Sequence, residues 1–172
     1  MQKVGIFVGS SGGVTLAAAE KLQVLFDGAA LINMEEDYED LEQFNDYDVL
    51  LIGSSTWGQG DPQRDWVDPL YEMQNDEPDL SGKKVAFFGA GDQETHGEFF
   101  VSALGKMEDI FHKCGAKTGF GHWSTEGYKY EYSYAEKGGM FCGLPIDDIN
   151  QEERTEARLI AWANQVKKEM GL

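Results

Sequence analysis

Three loops of this sequence hold hydroxyl-bearing, aromatic and titratable residues that could do chemistry. The first, residues 9–15, reads Gly-Ser-Ser-Gly-Gly-Val-Thr and follows a short apolar run. Its small residues let consecutive backbone N–H groups turn inward, and a helix behind it would add positive potential. It has no Lys or Arg and lacks the GxxxxGK[ST] frame of a Walker A loop. The composition predicts a neutral cradle for one terminal phosphate, with a turn that merely caps a helix as the alternative.

The other two loops bring flat rings. Trp57 lies in residues 54–62, where Gly, Ser and Pro mark a loop, so its ring either folds onto the core or stacks on a flat ligand. Residues 89–97 begin as Gly-x-Gly, but Glu94 stands where a dinucleotide fingerprint needs glycine, which argues against NAD. His96 lies in the same loop, although a single loop histidine is more often simply solvated.

A phosphate cradle, an indole and an imidazole on neighbouring loops describe a pocket for a planar heterocycle with one phosphate. FMN is the cofactor that fits best. Cys114 and Cys142 have no CxxC or histidine cluster around them, which excludes a disulfide scaffold, a zinc site and a cysteine-ligated iron–sulfur cluster. No recognisable Ser/His/Asp motif supports a hydrolase.

The elements that must position these loops alternate along the chain. Four apolar runs without polar alternation, at 4–8, 29–32, 49–52 and 85–88, predict strands buried on both faces of a parallel sheet. Apolar residues at helical spacing lie in 18–25, between the first two runs, and in 100–114 and 159–170, after the last. The alternation predicts a doubly wound α/β fold, in which ligands bind beyond the carboxyl ends of the strands.

Two finer predictions concern the C-terminal third. Tyr128, Tyr130, Tyr132 and Tyr134 alternate with other residues, as on a half-exposed strand or hairpin, within an excursion of about 120–141 inserted in the last strand region. Asn150 and Glu153 predict a capping box that opens the terminal helix.

Composition limits the function classes. The chain has 172 residues and a formal net charge of −17, with 41% hydrophobic residues, so we expect one folded domain spanning 1–172. Such a charge opposes binding to nucleic acid or to an anionic membrane surface. With only a short apolar run at the N-terminus, we expect a soluble, cytoplasmic protein.

The loops together resemble the flavodoxin family, specifically its long-chain type. Residues 7–15 are similar to its phosphate loop, 56–60 with Asp65-Trp66 to the loop carrying its stacking tryptophan, and 89–93 to its G-x-G-D-Q loop. Residues 121–128 resemble the start of the long-chain insertion, and Asn150-Gln151 opens the terminal helix as in that family. The likeness covers the whole chain with the motifs in order.

The resemblance implies a three-layer sandwich around a five-stranded parallel sheet of order 2-1-3-4-5, with FMN bound noncovalently. Residues 10–15 would hold the phosphate, Trp57 would cover one flavin face, backbones of 57–60 and 91–93 would bond its polar edge, and Asp147 would reach the ribityl chain. The residues assigned to the cofactor are Ser10, Ser11, Gly12, Gly13, Val14, Thr15, Ser55, Thr56, Trp57, Gly58, Gln59, Gly60, Gly89, Gly91, Asp92, Gln93, His96 and Asp147.

Two positions depart from the family pattern. Gly12 stands where a threonine is usual, which removes one hydroxyl donor, and His96 stands where a tyrosine commonly stacks on the second flavin face. Both changes predict weaker FMN binding than usual. A stacked imidazole also predicts that the second reduction step depends on pH near neutrality.

The implied function is a low-potential one-electron carrier without metal or substrate chemistry of its own. Its partners would be redox proteins with basic docking patches, such as a flavodoxin/ferredoxin reductase and low-potential acceptors, and it would act as a monomer. An FMN-dependent NAD(P)H:quinone reductase on the same fold is the main alternative. An FMN-free binding module is the second.

Overall fold

A computed structural model describes residues 1–172, and five parallel strands form its central sheet. They are β1 (Val4–Gly9), β2 (Ala30–Asn33), β3 (Val49–Ser54), β6 (Lys84–Ala90) and β10 (Gly143–Ile146). Their order is β10-β6-β3-β1-β2, which is 2-1-3-4-5 when these five strands alone are counted. The doubly wound α/β fold predicted from the alternating pattern is confirmed.

Four α-helices cover the sheet in two layers. They are α1 (Val14–Leu25), α2 (Arg64–Asp76), α3 (Ser102–Lys113) and α4 (Asp148–Met170). Ile6 and Val8 of β1 pack in the core shared with α1 and α4, while Phe7 packs in the core shared with α2 and α3. Successive strand residues point to opposite faces, so a strand between two helical layers must be apolar throughout.

The start of α4 differs from the prediction. Asp147 is the N-cap residue and its carboxylate accepts a hydrogen bond from Asn150 N, so the capping box predicted at Asn150 and Glu153 is wrong. The Asn150 side chain instead donates to the carboxylates of Asp92 and Asp147. Gln151 has non-helical angles (φ −140°, ψ 38°), and a kink there separates the first turn from the rest of α4.

The segment between α3 and β10 forms a small three-stranded antiparallel sheet. Its strands are β7 (Trp123–Ser124), β8 (Glu136–Lys137) and β9 (Met140–Phe141), in the order β7-β9-β8. The strand or hairpin predicted from the alternating tyrosines is therefore wrong, since all four tyrosines lie in irregular chain.

Packing against one aromatic ring accounts for that difference. The Phe100 ring lies 5.7 Å from the Tyr128 ring and 5.5 Å from the Tyr130 ring. The carbonyl of Gly97 accepts hydrogen bonds from the backbone N–H groups of Glu131 and Tyr132. These contacts with a neighbouring loop take the place of a strand ladder. No helix of the structure has the length and apolarity to cross a bilayer.

Candidate functional site

A pocket of about 290 Å³ opens beyond the carboxyl ends of β1, β3 and β6. This is where a doubly wound sheet places its ligands. A short hairpin of β4 (Thr56–Trp57) and β5 (Asp61–Pro62) forms part of its rim. The lining residues are Ser10, Gly12, Val14, Thr15, Ser55, Thr56, Trp57, Gly58, Ala90, Gly91, Asp92, His96, Phe99, Phe100, Val101 and Ile149.

The loop after β1 leaves the first turn of α1 free for a ligand. Gly13 is the N-cap residue, with a φ of 91° that favours glycine, and no side chain caps the helix. No acidic residue lies in the first turn, so the unpaired N–H groups and the helix dipole favour an anion. The hydroxyl of Ser10 accepts a 3.2 Å hydrogen bond from Gly13 N, and its proton remains available for donation.

Thr15 joins two of the site loops. Its side chain is buried, and its hydroxyl oxygen accepts a 3.2 Å hydrogen bond from Ala90 N at the end of β6. Ser11 is joined to a third segment, because its hydroxyl accepts a hydrogen bond from Gln63 Nε2. The loop after β1 is thereby fixed to the segments that follow β3 and β6.

Trp57 offers a ring face to the pocket. It is 50% exposed although it is a large apolar side chain, and its Nε1 donates a 2.8 Å hydrogen bond to Ser55 Oγ. That bond fixes the indole edge and leaves a face uncovered. Pairing of Trp57 with Asp61 in the β4–β5 hairpin holds the loop, and Gly58 turns it with a φ of 53°.

The loop after β6 is organised by one carboxylate. Asp92 accepts hydrogen bonds from Glu94 N, Thr95 N and Asn150 Nδ2. Burial alone would raise the pKa of Asp92, but the hydrogen bonds from Thr95, Asn150 and Glu94 together outweigh it and leave the pKa lowered. Asp92 is therefore an anion at neutral pH, facing the pocket.

His96 lies four residues further along this loop and is exposed at the pocket edge. Its backbone N–H donates a 3.0 Å hydrogen bond to the carbonyl of Asp92. His96 and Asp92 are the titratable side chains among the lining residues, which include no Lys or Arg. The pocket thus combines a neutral anion cradle with an indole and an imidazole.

Seven of the residues assigned from the sequence lie outside this lining: Ser11, Gly13, Gln59, Gly60, Gly89, Gln93 and Asp147. Asp147, expected at a ribityl chain, is fully buried instead. Its carboxylate accepts four hydrogen bonds, two from Gln93 and two from Asn150. Gln93 is also buried, and its Oε1 accepts a hydrogen bond from Lys129 N. The side chains of Asp147 and Gln93 thus form hydrogen bonds with other groups of the protein.

Five lining residues were missed: Ala90, Phe99, Phe100, Val101 and Ile149. Phe100 was expected within a helical stripe, but α3 begins at Ser102. Val101 precedes it with a φ of 45°, so the chain turns at the pocket before the helix starts. Ile149 is 72% exposed at the start of α4, and its apolar type was the available signal.

Comparison with known proteins gives a consistent result. The flavodoxin family model matches residues 6–162. Flavodoxin 1 of Azotobacter vinelandii is 50% identical over 171 residues, covering 98% of both chains, and flavodoxin 1 of Escherichia coli is 41% identical, covering 100% of this chain and 97% of its own. A Fusobacterium nucleatum flavodoxin structure bound to flavin mononucleotide is 30% identical with a TM-score of 0.87, covering 98% of this chain and 99% of that one.

Proposed function

This chain belongs to the flavodoxin family, and from that premise we propose how its residues hold FMN and meet redox partners. The protein is an FMN-binding electron carrier and not an enzyme. FMN supplies one-electron redox chemistry, and the protein supplies binding, orientation and local charge. One pocket that joins an uncapped helix N-terminus to an exposed indole is the observation that carries the assignment of residues.

The phosphate is held by residues 10–15. The Ser10 and Thr15 hydroxyls and the unpaired N–H groups at the start of α1 are donors, and no cation lies among the lining residues. The Ser11 hydroxyl can add another bond while it accepts from Gln63. Hydrogen bonds and the helix dipole therefore hold the phosphate, and its charge is left unneutralised.

The ring is held between Trp57 and His96, which lie on the loops after β3 and β6. The backbones of residues 57–60 and 91–93 would bond its polar edge. In the second segment Asp92 N is the free donor, since Gly91 N donates to Ile146 and Gln93 N donates to Asp147.

Gly58 allows its peptide to change orientation during reduction. Its φ is 53°, and glycine adopts such angles at little steric cost because it has no Cβ atom. The cluster of the buried Asp147 and Gln93 with the half-buried Asn150 positions the loop that carries Asp92 and His96.

Partners are redox proteins that present basic docking patches, such as a flavodoxin/ferredoxin reductase and low-potential acceptors. Support comes from the net charge of −17 and from two exposed acidic side chains, Asp61 in the Trp57 hairpin and Asp68 on the helix that follows it. Negative charge around the flavin also disfavours adding a second electron, so it lowers the reduction potential of the second one-electron step. We place the protein in the cytoplasm as a monomer, with residues 1–172 as one FMN-binding domain.

Stepwise dithionite reduction of the purified protein, followed by absorbance, tests the function. We expect a yellow protein with stoichiometric FMN that takes up two electrons in two separate one-electron steps. A colourless protein that refuses FMN would overturn the function. NADH oxidation with benzoquinone, without an added reductase, would instead support the quinone-reductase alternative.

The phosphate assignment has its own test. Replacing Ser10 by Ala should weaken FMN binding to the apoprotein by roughly 10- to 100-fold, since hydrogen bonds to charged groups are worth about 1.5–3 kcal/mol. Binding of riboflavin, which lacks the phosphate, should not change. The exposed Ser81→Ala variant serves as the control. Equal losses for both flavins would remove Ser10 from the phosphate site.

A further inference from the structure

A second concave site lies beside the start of α4 and collects positive charge in a very acidic protein. The chain has 14 Lys and Arg residues against 31 Asp and Glu. Lys129 and Arg154 line a cavity of about 400 Å³, and Arg158 lies one helical turn beyond Arg154. This cavity shares no lining residue with the cofactor pocket.

Arg158 is held in place by neutral groups. Its guanidinium carbon lies 4.0 Å from the centroid of the Tyr128 ring, and its Nη1 donates a 2.8 Å hydrogen bond to Gln151 Oε1. Gln151 in turn donates to the carbonyl of Gly127, and the buried Tyr128 hydroxyl donates to the carbonyl of Pro145. The cation is thus oriented before any ligand arrives.

The guanidinium groups of Arg154 and Arg158 approach one point. A Cβ atom built on Gly127 would lie 3.0 Å from Arg154 Nη1 and 3.6 Å from Arg158 Nη2. The absence of a side chain at Gly127, where φ is 91°, keeps this space open. Both guanidinium groups therefore border the space beside Gly127.

No carboxylate lies within ion-pair distance of these cations. The ion pairs of the protein are Arg64–Glu35, Lys106–Asp61 and His122–Glu108, none of which involves Lys129, Arg154 or Arg158. Burial lowers the pKa of Arg158, and repulsion from Arg154 lowers it further. Attraction to Tyr128, Asp147 and Glu153 raises the pKa but does not outweigh these two effects. Asp147 is already saturated by Gln93 and Asn150. An anion between the two arginines would relieve their repulsion.

We propose that this cavity, lined by Lys129, Gln151 and Arg154 with Arg158 behind, binds a small phosphate-class oxyanion carrying at least two negative charges. Guanidinium groups present paired donors that match phosphate oxygens, and the Gln151 and Asn150 amides border the same space. Glu94 at the rim and the net charge of −17 oppose the anion, so binding is sensitive to salt.

Titration of the FMN-loaded, ¹⁵N-labelled protein with inorganic pyrophosphate tests the site. FMN occupies the phosphate loop, so that loop cannot report, and FMN occupancy is read from the visible absorbance. At constant ionic strength we expect saturable shifts of the Gly127, Lys129 and Gln151 amides. Arg154→Gln should weaken binding about tenfold through the loss of charged hydrogen bonds, and the exposed Lys168→Gln control should match wild type.

Parallel titration with ADP separates two sources of the same chemistry. Equal affinity for ADP and pyrophosphate assigns the site to the phosphate groups alone, and tighter ADP binding assigns it to a nucleotide. The proposal is overturned if pyrophosphate gives no saturable shift, or if Arg154→Gln titrates like wild type. It is also overturned if a tetra-aspartate peptide binds and pyrophosphate does not, because the cavity would then receive carboxylates of a protein partner.

Discussion

Gly12 lies in the loop after β1, where we propose that the FMN phosphate binds. A Cβ atom at this position meets nothing within 4 Å, and the residue has no positive φ. The Cβ atom of a threonine therefore fits without strain, and the threonine hydroxyl adds one donor to the loop. We expect Gly12→Thr to bind FMN at least about tenfold more tightly, through one more hydrogen bond to a charged acceptor.

Quenching of FMN fluorescence during titration of the apoprotein measures this change. Gly12→Val is the matched control, since valine has the shape of threonine without the hydroxyl. Gly12→Val should show no gain. If both variants gain equally, stiffening of the loop and not the hydroxyl is responsible.

His96 is the second residue that departs from the family. It lies at the pocket edge. The charged groups around it are Asp92, which lines the pocket, and Glu94 and Glu98, which are close to His96 in sequence. A protonated imidazole near a flavin that gains negative charge stabilises the reduced state. We expect the reduction potential of the second one-electron step to be higher at low pH than at high pH, because an imidazole that carries a proton favours the more negative flavin.

Potentiometry from pH 5.5 to 8.5 measures this dependence. His96→Phe keeps an aromatic side chain but removes its charge. The pH dependence that the imidazole adds to the second potential should therefore disappear while FMN stays bound. An identical pH profile in His96→Phe and wild type would mean that the imidazole does not act on the flavin.

Among the structural elements, the junction of β10 and α4 depends on Asp147. This fully buried carboxylate caps α4 and accepts four hydrogen bonds from Gln93 and Asn150. Removing it leaves several buried donors unpaired, at about 1–3 kcal/mol each. We expect Asp147→Ala to lower the free energy of unfolding of the apoprotein by roughly 2–4 kcal/mol in urea.

The exposed cap Asp40 provides the comparison, since its carboxylate accepts from Glu42 N at the start of a short 3₁₀ helix, Leu41–Asp46. Asp40→Ala should cost about 1 kcal/mol. If the two variants lose similar stability, burial of the Asp147 cluster adds nothing to capping.

A histidine–glutamate contact joins the small three-stranded sheet to α3. His122, just before β7, lies 3.7 Å from Glu108 of α3 through Nε2 and Oε2, an ion-pair distance too long for a hydrogen bond. Attraction to Glu108 raises the pKa of His122 above its ordinary 6.5, although burial opposes this. The stabilisation is complete below pH 6.5 and is lost as pH rises through the raised pKa.

Urea unfolding of wild type and Glu108→Gln between pH 5.5 and 9 measures this contribution. We expect the stability difference between them to be largest at the acidic end and to shrink as pH rises. Glu152→Gln, a change at an exposed site, should show a constant difference. A gap that widens with pH would show that the pair does not act as an ion pair.

For the molecule as a whole, the net charge of −17 governs encounters with other proteins. Asp68 lies exposed on α2, the helix that follows the Trp57 hairpin, whereas Glu156 lies exposed on α4 across the sheet. Electron transfer to a small basic redox protein should slow as ionic strength rises. We expect Asp68→Asn to lower the low-salt rate by roughly two- to threefold.

Stopped-flow mixing at several salt concentrations measures both effects. Glu156→Gln removes the same charge from the opposite layer and should change the rate less. Equal effects of the two variants would indicate that net charge alone, and no local docking surface, sets the encounter rate.

Much of the fold follows from sequence because its signals are local. Residues 4–8, 49–52 and 85–88 are apolar without alternation, and a strand covered on both faces requires that pattern. The sequence also places Ser10, Gly12, Thr15 and Trp57 at the pocket, since Gly, Ser and Pro at a strand end mark a ligand loop whatever lies around it.

Tertiary contacts decided the rest. The tyrosines from Tyr128 onward carry a strand-like pattern, but Phe100 and the Gly97 carbonyl bind that chain in an irregular path. Asp147 has the residue type of a ligand group, yet Gln93, distant in sequence, saturates its carboxylate. Sequence determines which groups are available for bonding, whereas the partners of a polar side chain depend on segments that only folding brings within hydrogen-bond distance.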